Sequence, residues 1–213
     1  MIRVIIADDH AVVRRGLRQI LGDAGDIEVA GEAGDFGELS TLLRNAECDV
    51  LLLDISMPGR NGIEILKVVR ERHPKVAVLI LSMFPEDQYA VRALKAGAAG
   101  YVTKEAAPET LVDAIRLAAR GKKYITPEVA ETLATYMGDA QRPEVPHEAL
   151  SDREYETLRL IASGKKLSEI AEILSLSPKT VSVYRARLLY KMKLRNNAEL
   201  TLYAVKHGLI DRG

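Results

Sequence analysis

Five side chains stand out by type and position in this 213-residue sequence: Asp8, Asp9, Asp54, Ser82 and Lys104. Each closes a short, largely apolar run: VIIA before the acid pair, VLLL before Asp54, VLIL before Ser82 and GYVT before Lys104. Three carboxylates brought together repel, and each resists ionising unless a cation sits among them. Oxygen donors with room for water suit Mg²⁺, an ion that also takes phosphate oxygens as ligands. A hydroxyl and an ammonium opposite supply a donor and a positive charge for phosphoryl oxygens. The set is suited to carrying a phosphoryl group on a carboxylate. Singly, these residues say much less, since Asp54 alone could equally cap the next helix or satisfy a turn.

The elements that would position them are legible from periodicity. Residues 50–53 are apolar without alternation, the habit of a strand buried on both faces of a parallel sheet. Similar runs at 2–7, 76–81 and 99–103, and a weaker, more peripheral one at 27–33, give five expected strands. Between and after them, apolar residues recur three or four apart. The helices expected are residues 11–24, a second marked by Leu39, Leu42, Leu43 and Ala46, then 62–72, one opened by Pro85 and stopped by Gly97, and one from Pro108 to a stop at Gly121. Alternating strands and helices of this kind imply an α/β, doubly wound, five-stranded parallel sheet. In such sheets ligands bind outside the carboxyl ends of the strands, where all five side chains fall. Thr126-Pro127 looks like the cap and first position of one more helix, to about residue 137.

Periodicity vanishes over residues 138–149, GDAQRPEVPHEA, which read as a linker. Beyond it everything is helical. Ser151 with Glu154 forms a capping box, Gly164 ends that helix, and a short helix over 168–175 follows. Ser177-Pro178 opens a helix to about residue 193, and a last one starts at Asn197. Two helices joined by a brief turn have the shape of a helix-turn-helix. The expected organisation is residues 1–122, a joining stretch 123–149, and a small all-α domain 150–213.

Formal net charge is zero, but residues 151–213 hold twelve Lys/Arg against seven Asp/Glu, about +5. Residues 179–195 have six bases and no acid. The two halves should therefore meet different partners. No apolar run reaches the ~18 residues needed to span a bilayer, and the first residues lack the apolar core of a signal peptide. A cytoplasmic protein with no membrane partner is expected. Cys48 is the single cysteine, and no Cys/His cluster has metal spacing.

With Asp8-Asp9, Asp54 followed by Met57-Pro58 and Gly62, Ser82, Tyr101 and Lys104 in order, residues 1 to about 120 resemble the receiver domain of a two-component response regulator, a flavodoxin-like fold. The resemblance implies that Asp54 is the phosphoacceptor for a sensor histidine kinase. It implies that Asp9 and Asp54 bind Mg²⁺ with the main-chain carbonyl of Ser56, Asp8 joining directly or through water. Lys104 and Ser82 would hold the phosphoryl oxygens, and a shift of Ser82 would let Tyr101 turn inward as the switch. Such a protein is a stoichiometric phosphoacceptor and not a turnover enzyme. One departure is Glu105, where many receivers have a proline after the lysine in cis linkage; a cis bond to glutamate costs about 2.5 to 4 kcal/mol, so trans is expected.

Residues 150–210 resemble the LuxR-type DNA-binding domain, on the strength of residues 150–154, Ala162-Ser163-Gly164, Glu169-Ile170-Ala171 and residues 177–181. Together with the receiver this arrangement resembles the NarL/FixJ type, which implies a phosphorylation-controlled transcription regulator. On the helix from Pro178, Val181, Leu188, Leu189 and Met192 should face the core. Ser182, Val183 and Ala186 would then lie nearest base edges of a double-stranded operator, with Lys179 or Arg187 bonding a guanine. Thr180, Tyr184, Arg185 and Lys191 suit backbone phosphates. The last helix has more apolar residues than one face needs, and the family implies a homodimer there.

Two other readings stand beside this one. A haloacid-dehalogenase-like aspartyl-phosphate enzyme expects a second acid two residues after the nucleophile, where this sequence has Ser56. A phosphorylation-independent DNA-binding regulator would not need the complete acidic set. The histidines, His10, His73, His147 and His207, are scattered and read as structural or solvent-exposed, with His10 at the rim of the crevice beside the acid pair.

Overall fold

A computed structural model of the chain describes residues 1–83, 86–138 and 145–210. It divides into two compact units, Met1–Asp139 and Ala140–Gly213.

In the first unit, strands β1 (Ile2–Ala7), β2 (Ile27–Ala33), β3 (Val50–Asp54), β4 (Ala77–Ser82) and β5 (Gly100–Thr103) form one sheet in the order β2-β1-β3-β4-β5. Every pairing is parallel. Helices α1 (Ala11–Asp23), α2 (Phe36–Asn45), α3 (Gly62–Arg72), α4 (Glu86–Lys95) and α5 (Pro108–Ala119) connect and cover the strands. On one face Val4, Ile6, Leu52 and Leu79 pack against Leu17 and Leu21 of α1 and Leu111 and Ile115 of α5. Alternation sends Ile5, Leu51, Leu53, Val78 and Ile80 to the other face, where they are equally buried. The unbroken apolar runs follow from this two-sided burial, and β2, which lacks one, is an edge strand.

Pro85, expected to open α4, lies outside the described residues. No cis peptide bond occurs among the described residues, and Lys104–Glu105 is trans. Beyond α5 the chain returns to the sheet: Gly100 pairs with Tyr124 in an isolated parallel bridge, and the Tyr124 amide donates to the Ala99 carbonyl at 2.8 Å. A side chain at position 100 would meet the Tyr124 carbonyl oxygen at 2.7 Å, so glycine is required for that approach. Helix α6 (Pro127–Gly138) then packs against α4. Burial pushes the Cys48 thiol up to about 11, which keeps it protonated and unreactive.

The second unit holds α7 (Asp152–Ala162), α8 (Leu167–Ile173), α9 (Pro178–Met192) and α10 (Asn197–Lys206) around Leu158, Ile170, Val181, Leu188 and Leu200. The Ser151–Glu154 capping box is present. Ser177 caps α9 by accepting from the Thr180 amide at 3.1 Å, with Pro178 at its first position. The turn between α8 and α9 is longer than Leu176-Ser177, because Ser175 adopts a left-handed conformation (φ 53°) and ends α8. Part of the expected linker is ordered: Pro146–Ala149 form a 3-10 turn, and the His147 ring meets the Tyr203 hydroxyl of α10 at 2.8 Å. Residues 139–144 of that linker lie outside the described residues. Among the described residues no helix is long and apolar enough to cross a membrane.

Candidate functional site

Strand register sets the first site. Ala7 pairs with Leu53, so Asp8 and Asp54 leave the sheet side by side. Backbone bonds continue past the strands: Asp8 N to Ala33 O at 3.0 Å, Ile55 N to Leu81 O at 3.1 Å and Lys104 N to Ser82 O at 2.7 Å. These stitches tie the end of β1 to that of β2, and the end of β4 to those of β3 and β5. Asp8, Asp54 and Ser82 are all buried, at 0%, 1% and 0% exposure. The loop after Asp54 is fixed by Gly62, whose amide donates to the Ile55 carbonyl at 2.8 Å, and by buried Asn61, which caps α3 by accepting from the Ile63 amide.

Lys104 Nζ lies 2.6 Å from Asp8 Oδ2 and 3.0 Å from Asp54 Oδ2, with its side chain 7% exposed. Neither oxygen has a further hydrogen-bond partner among the described residues. Burial pushes the Asp54 carboxyl above its usual range; Lys104 opposes that without cancelling it, and Asp8 adds to it. Burial works against the Lys104 ammonium too, but the Asp54 and Asp8 carboxylates outweigh it and raise its pKa. The group is short of positive charge. Asp8, Asp9, His10 and Asp54 each offer one ligand atom, all within 4.8 Å of one another, a spacing that fits a divalent cation. Tyr101, three residues before the lysine, is buried at 2% exposure.

The second cluster lies on α9. Val181, Leu188, Leu189 and Met192 are buried as expected. Lys179, Ser182, Val183, Ala186, Arg187 and Lys191 are exposed, while Thr180, Tyr184 and Arg185 are half-buried. Two of the bases already have partners: Arg185 Nε donates to Asn197 Oδ1 at 2.6 Å, and Lys191 Nζ donates to Glu154 Oε2 at 2.6 Å.

Residues 4–116 match the response regulator receiver domain family, and residues 148–204 match the family described as bacterial regulatory proteins, luxR family. The chain is a response regulator with a receiver domain and a LuxR-family domain. It is 38% identical over 211 residues to the response regulator GacA of Pseudomonas aeruginosa, covering 99% of both chains. It is 39% identical to the response regulator UvrY of Escherichia coli, covering 98% of this chain and 96% of that one. A solved structure of RcsB from Salmonella enterica serovar Typhimurium, bound to the promoter rprA in the presence of the phosphomimetic BeF3⁻, is also similar. It matches with a TM-score of 0.65 and 30% identity over 95% of this chain and 97% of that chain.

The fold of this response regulator brings Asp8, Asp9, Asp54 and Lys104 to one sheet edge, with the backbone of Ser82 tied to that of Lys104. It also adds residues that strand patterns do not reveal. Arg14 Nη1 donates to the Asp8 carbonyl at 2.6 Å, bracing the acid pair from α1. His10 does more than line the rim: its Nδ1 is 2.6 Å from Asp9 Oδ1. The adjacency of His10 to the acid pair was the available signal, whereas Arg14 gave none because a basic residue on an amphipathic helix reads as a solvated face.

Proposed function

We propose that this response regulator takes a phosphoryl group on Asp54 from the phosphohistidine of a sensor histidine kinase, and that the modification controls its binding to double-stranded operator DNA. The observation that carries this reading is a buried carboxylate, Asp54, held 3.0 Å from Lys104 beside two further acids. An Asp54 carboxylate oxygen attacks phosphorus, the P–N bond breaks, and the pair of electrons leaves with the imidazole. Lys104 and the Ser82 hydroxyl hold the phosphoryl oxygens. Asp8, Asp9, Asp54 and the main-chain carbonyl of Ser56 would hold Mg²⁺, which neutralises phosphoryl charge when bound. Movement of Ser82 toward the phosphoryl group lets Tyr101 re-pack, and a bias of a few kcal/mol suffices to shift the population. The protein acts stoichiometrically, in the cytoplasm.

Residues 1–122 form the phosphoacceptor domain, 150–213 the DNA-binding domain, and 123–149 join them. On α9, Ser182, Val183 and Ala186 face base edges with Lys179 or Arg187, while Thr180, Tyr184, Arg185 and Lys191 meet backbone phosphates. A dimer through α10 reads two half-sites.

Incubation with a radiolabelled small-molecule phosphodonor and Mg²⁺ tests the acceptor. Label should appear on the natural protein and be lost in Asp54→Asn; persistent labelling would put the acceptor elsewhere. Gel shifts on operator DNA that are identical with and without phosphate would instead favour a regulator that does not use the modification.

A further inference from the structure

We propose that a cavity at the amino end of the sheet, opposite Asp54, binds a small polyphosphate anion, free or as the polyphosphate of a nucleotide. The cavity belongs to the first unit, where β3 and β4 begin and where α3, α4 and α5 end, and its volume is about 380 Å³. That is room for a small ligand. Four cations line it, Arg70, Lys75, Lys122 and Lys123, against one acid, Asp49. The acid is already engaged, because Arg3 Nε donates to its Oδ2 at 3.1 Å and Arg3 Nη2 to its Oδ1 at 2.9 Å. Among the described residues none of the four cations makes an ion pair.

Bases at the ends of helices have a simpler role, since they offset the dipole and bond the terminal carbonyls. That role accounts for two of the four. Arg70 Nη1 donates to the carbonyls of Pro74 at 3.0 Å and Val76 at 3.5 Å, and Lys123 Nζ donates to those of Ala98 and, at 3.4 Å, Gly97. Lys75 and Lys122 are exposed and make no side-chain bond among the described residues. The capping pair is itself short of negative charge: partial burial and the nearby Arg70 guanidinium both hold the Lys123 ammonium below its ordinary pKa, and no acid opposes them. An anion between Arg70 and Lys123 offsets that repulsion, and Lys75 and Lys122 supply further charged donors for its oxygens. A polyphosphate matches four cations better than a lone carboxylate does. Small side chains, Ala77, Ala99 and Ala118, complete the lining and leave the concavity open to a compact ligand.

Pyrophosphate and ATP are the probes, titrated into the full-length protein in metal-free buffer and followed by calorimetry and by ¹⁵N–¹H correlation spectra. Binding should weaken as salt rises and should move the amide signals of Gly97, Gly121 and Lys122. Tighter binding of ATP assigns the site to nucleotides, and tighter binding of pyrophosphate to free polyphosphate. Lys75→Gln combined with Lys122→Gln removes two charges that hold nothing in the fold. This double variant should keep the melting temperature of the natural protein yet weaken both probes about tenfold. Failure of both probes to bind, or equal affinity in the double variant, overturns the proposal. So do signal changes that fall on α9 and disappear with Arg187→Ala, which would put the anion on the second unit. A double variant that binds the probes normally but loses affinity for double-stranded DNA would make this surface a DNA contact and overturn the small-anion site.

Discussion

Lys191 Nζ stands 2.6 Å from Glu154 Oε2, the same oxygen that accepts the Ser151 amide at 2.8 Å where α7 begins. One carboxylate thus caps α7 and ties it to α9. Burial pushes Glu154 up, but Lys191 and the Ser151 groups outweigh it and hold the carboxyl below its usual range. A lysine neutralised in this way offers less to a phosphate than exposed Arg187. Arg187→Ala should therefore weaken operator binding and reduce the slope of log affinity against log salt by about one. Lys191→Ala should cost less, and Glu154→Gln, which keeps an acceptor for the cap but drops the charge, should strengthen binding. Fluorescence titrations across salt concentrations give the ranking; equal losses for Arg187→Ala and Lys191→Ala would mean that the ion pair opens on DNA.

Gly62 separates two effects that one substitution usually mixes. A Cβ there would collide with the Asp54 carbonyl oxygen and come within 2.7 Å of Ile55 Cα, both backbone. Gly62→Ala should cost about 1–3 kcal/mol and displace Asp54 enough to slow phosphate uptake. Gly16, inside α1 with nothing within 4 Å of an added Cβ, is the opposite case. Gly16→Ala should stabilise by about 0.5–1 kcal/mol and leave labelling of Asp54 intact. Thermal melts and phosphodonor labelling on both variants distinguish a packing loss from a lost site.

These two sites also mark what the sequence made readable. Residues 50–53 announced a two-sided strand because burial on both faces removes alternation, and the acids, serine and lysine at the ends of such runs had to share an edge. Core positions on α9 followed from helical spacing alone. Contacts set by loop paths or by pairing far along the chain gave no comparable signal. His147 and Tyr203 meet across 56 residues, so an ordered turn sat inside what composition marks as linker. Ser175 takes a conformation that usually announces itself through glycine, so nothing in the sequence marks the true length of the turn before α9. Glu154 was recognised as a cap, but its second bond needed the crossing of α7 and α9.

Leu202 is 71% exposed on α10, while Leu200 and Ala204 are fully buried. The core therefore does not account for it, which is what the proposed dimer through α10 requires. Burying a leucine is worth roughly 1.5–3 kcal/mol. Leu202→Glu should leave the melting temperature within a degree or two yet weaken dimerisation of the phosphorylated protein at least tenfold. Sedimentation velocity at several concentrations reads this directly, and an unchanged dimer would move the interface off α10.

Asp54 should be costly to the fold in its ionised form. Its carboxyl is 1% exposed, and burial raises its pKa despite Lys104 nearby. The sign follows from linkage: an acid whose folded pKa is raised contributes fully below its unfolded value, near 3.8, and loses that contribution as pH rises through the folded value. Asp54→Asn removes the titration and leaves Lys104 paired with Asp8. At pH 7 and without divalent ions the variant should melt a few degrees above the natural protein, about 1 kcal/mol for a chain of this size. The gap should narrow as pH falls through the folded value of Asp54, because protonation removes the buried charge. A divalent cation should narrow it from the other direction, because binding stabilises the natural site more than the variant's. Melts across pH, with and without Mg²⁺, measure all three; a variant less stable at pH 7 would show that the Lys104 pairing outweighs the burial of Asp54.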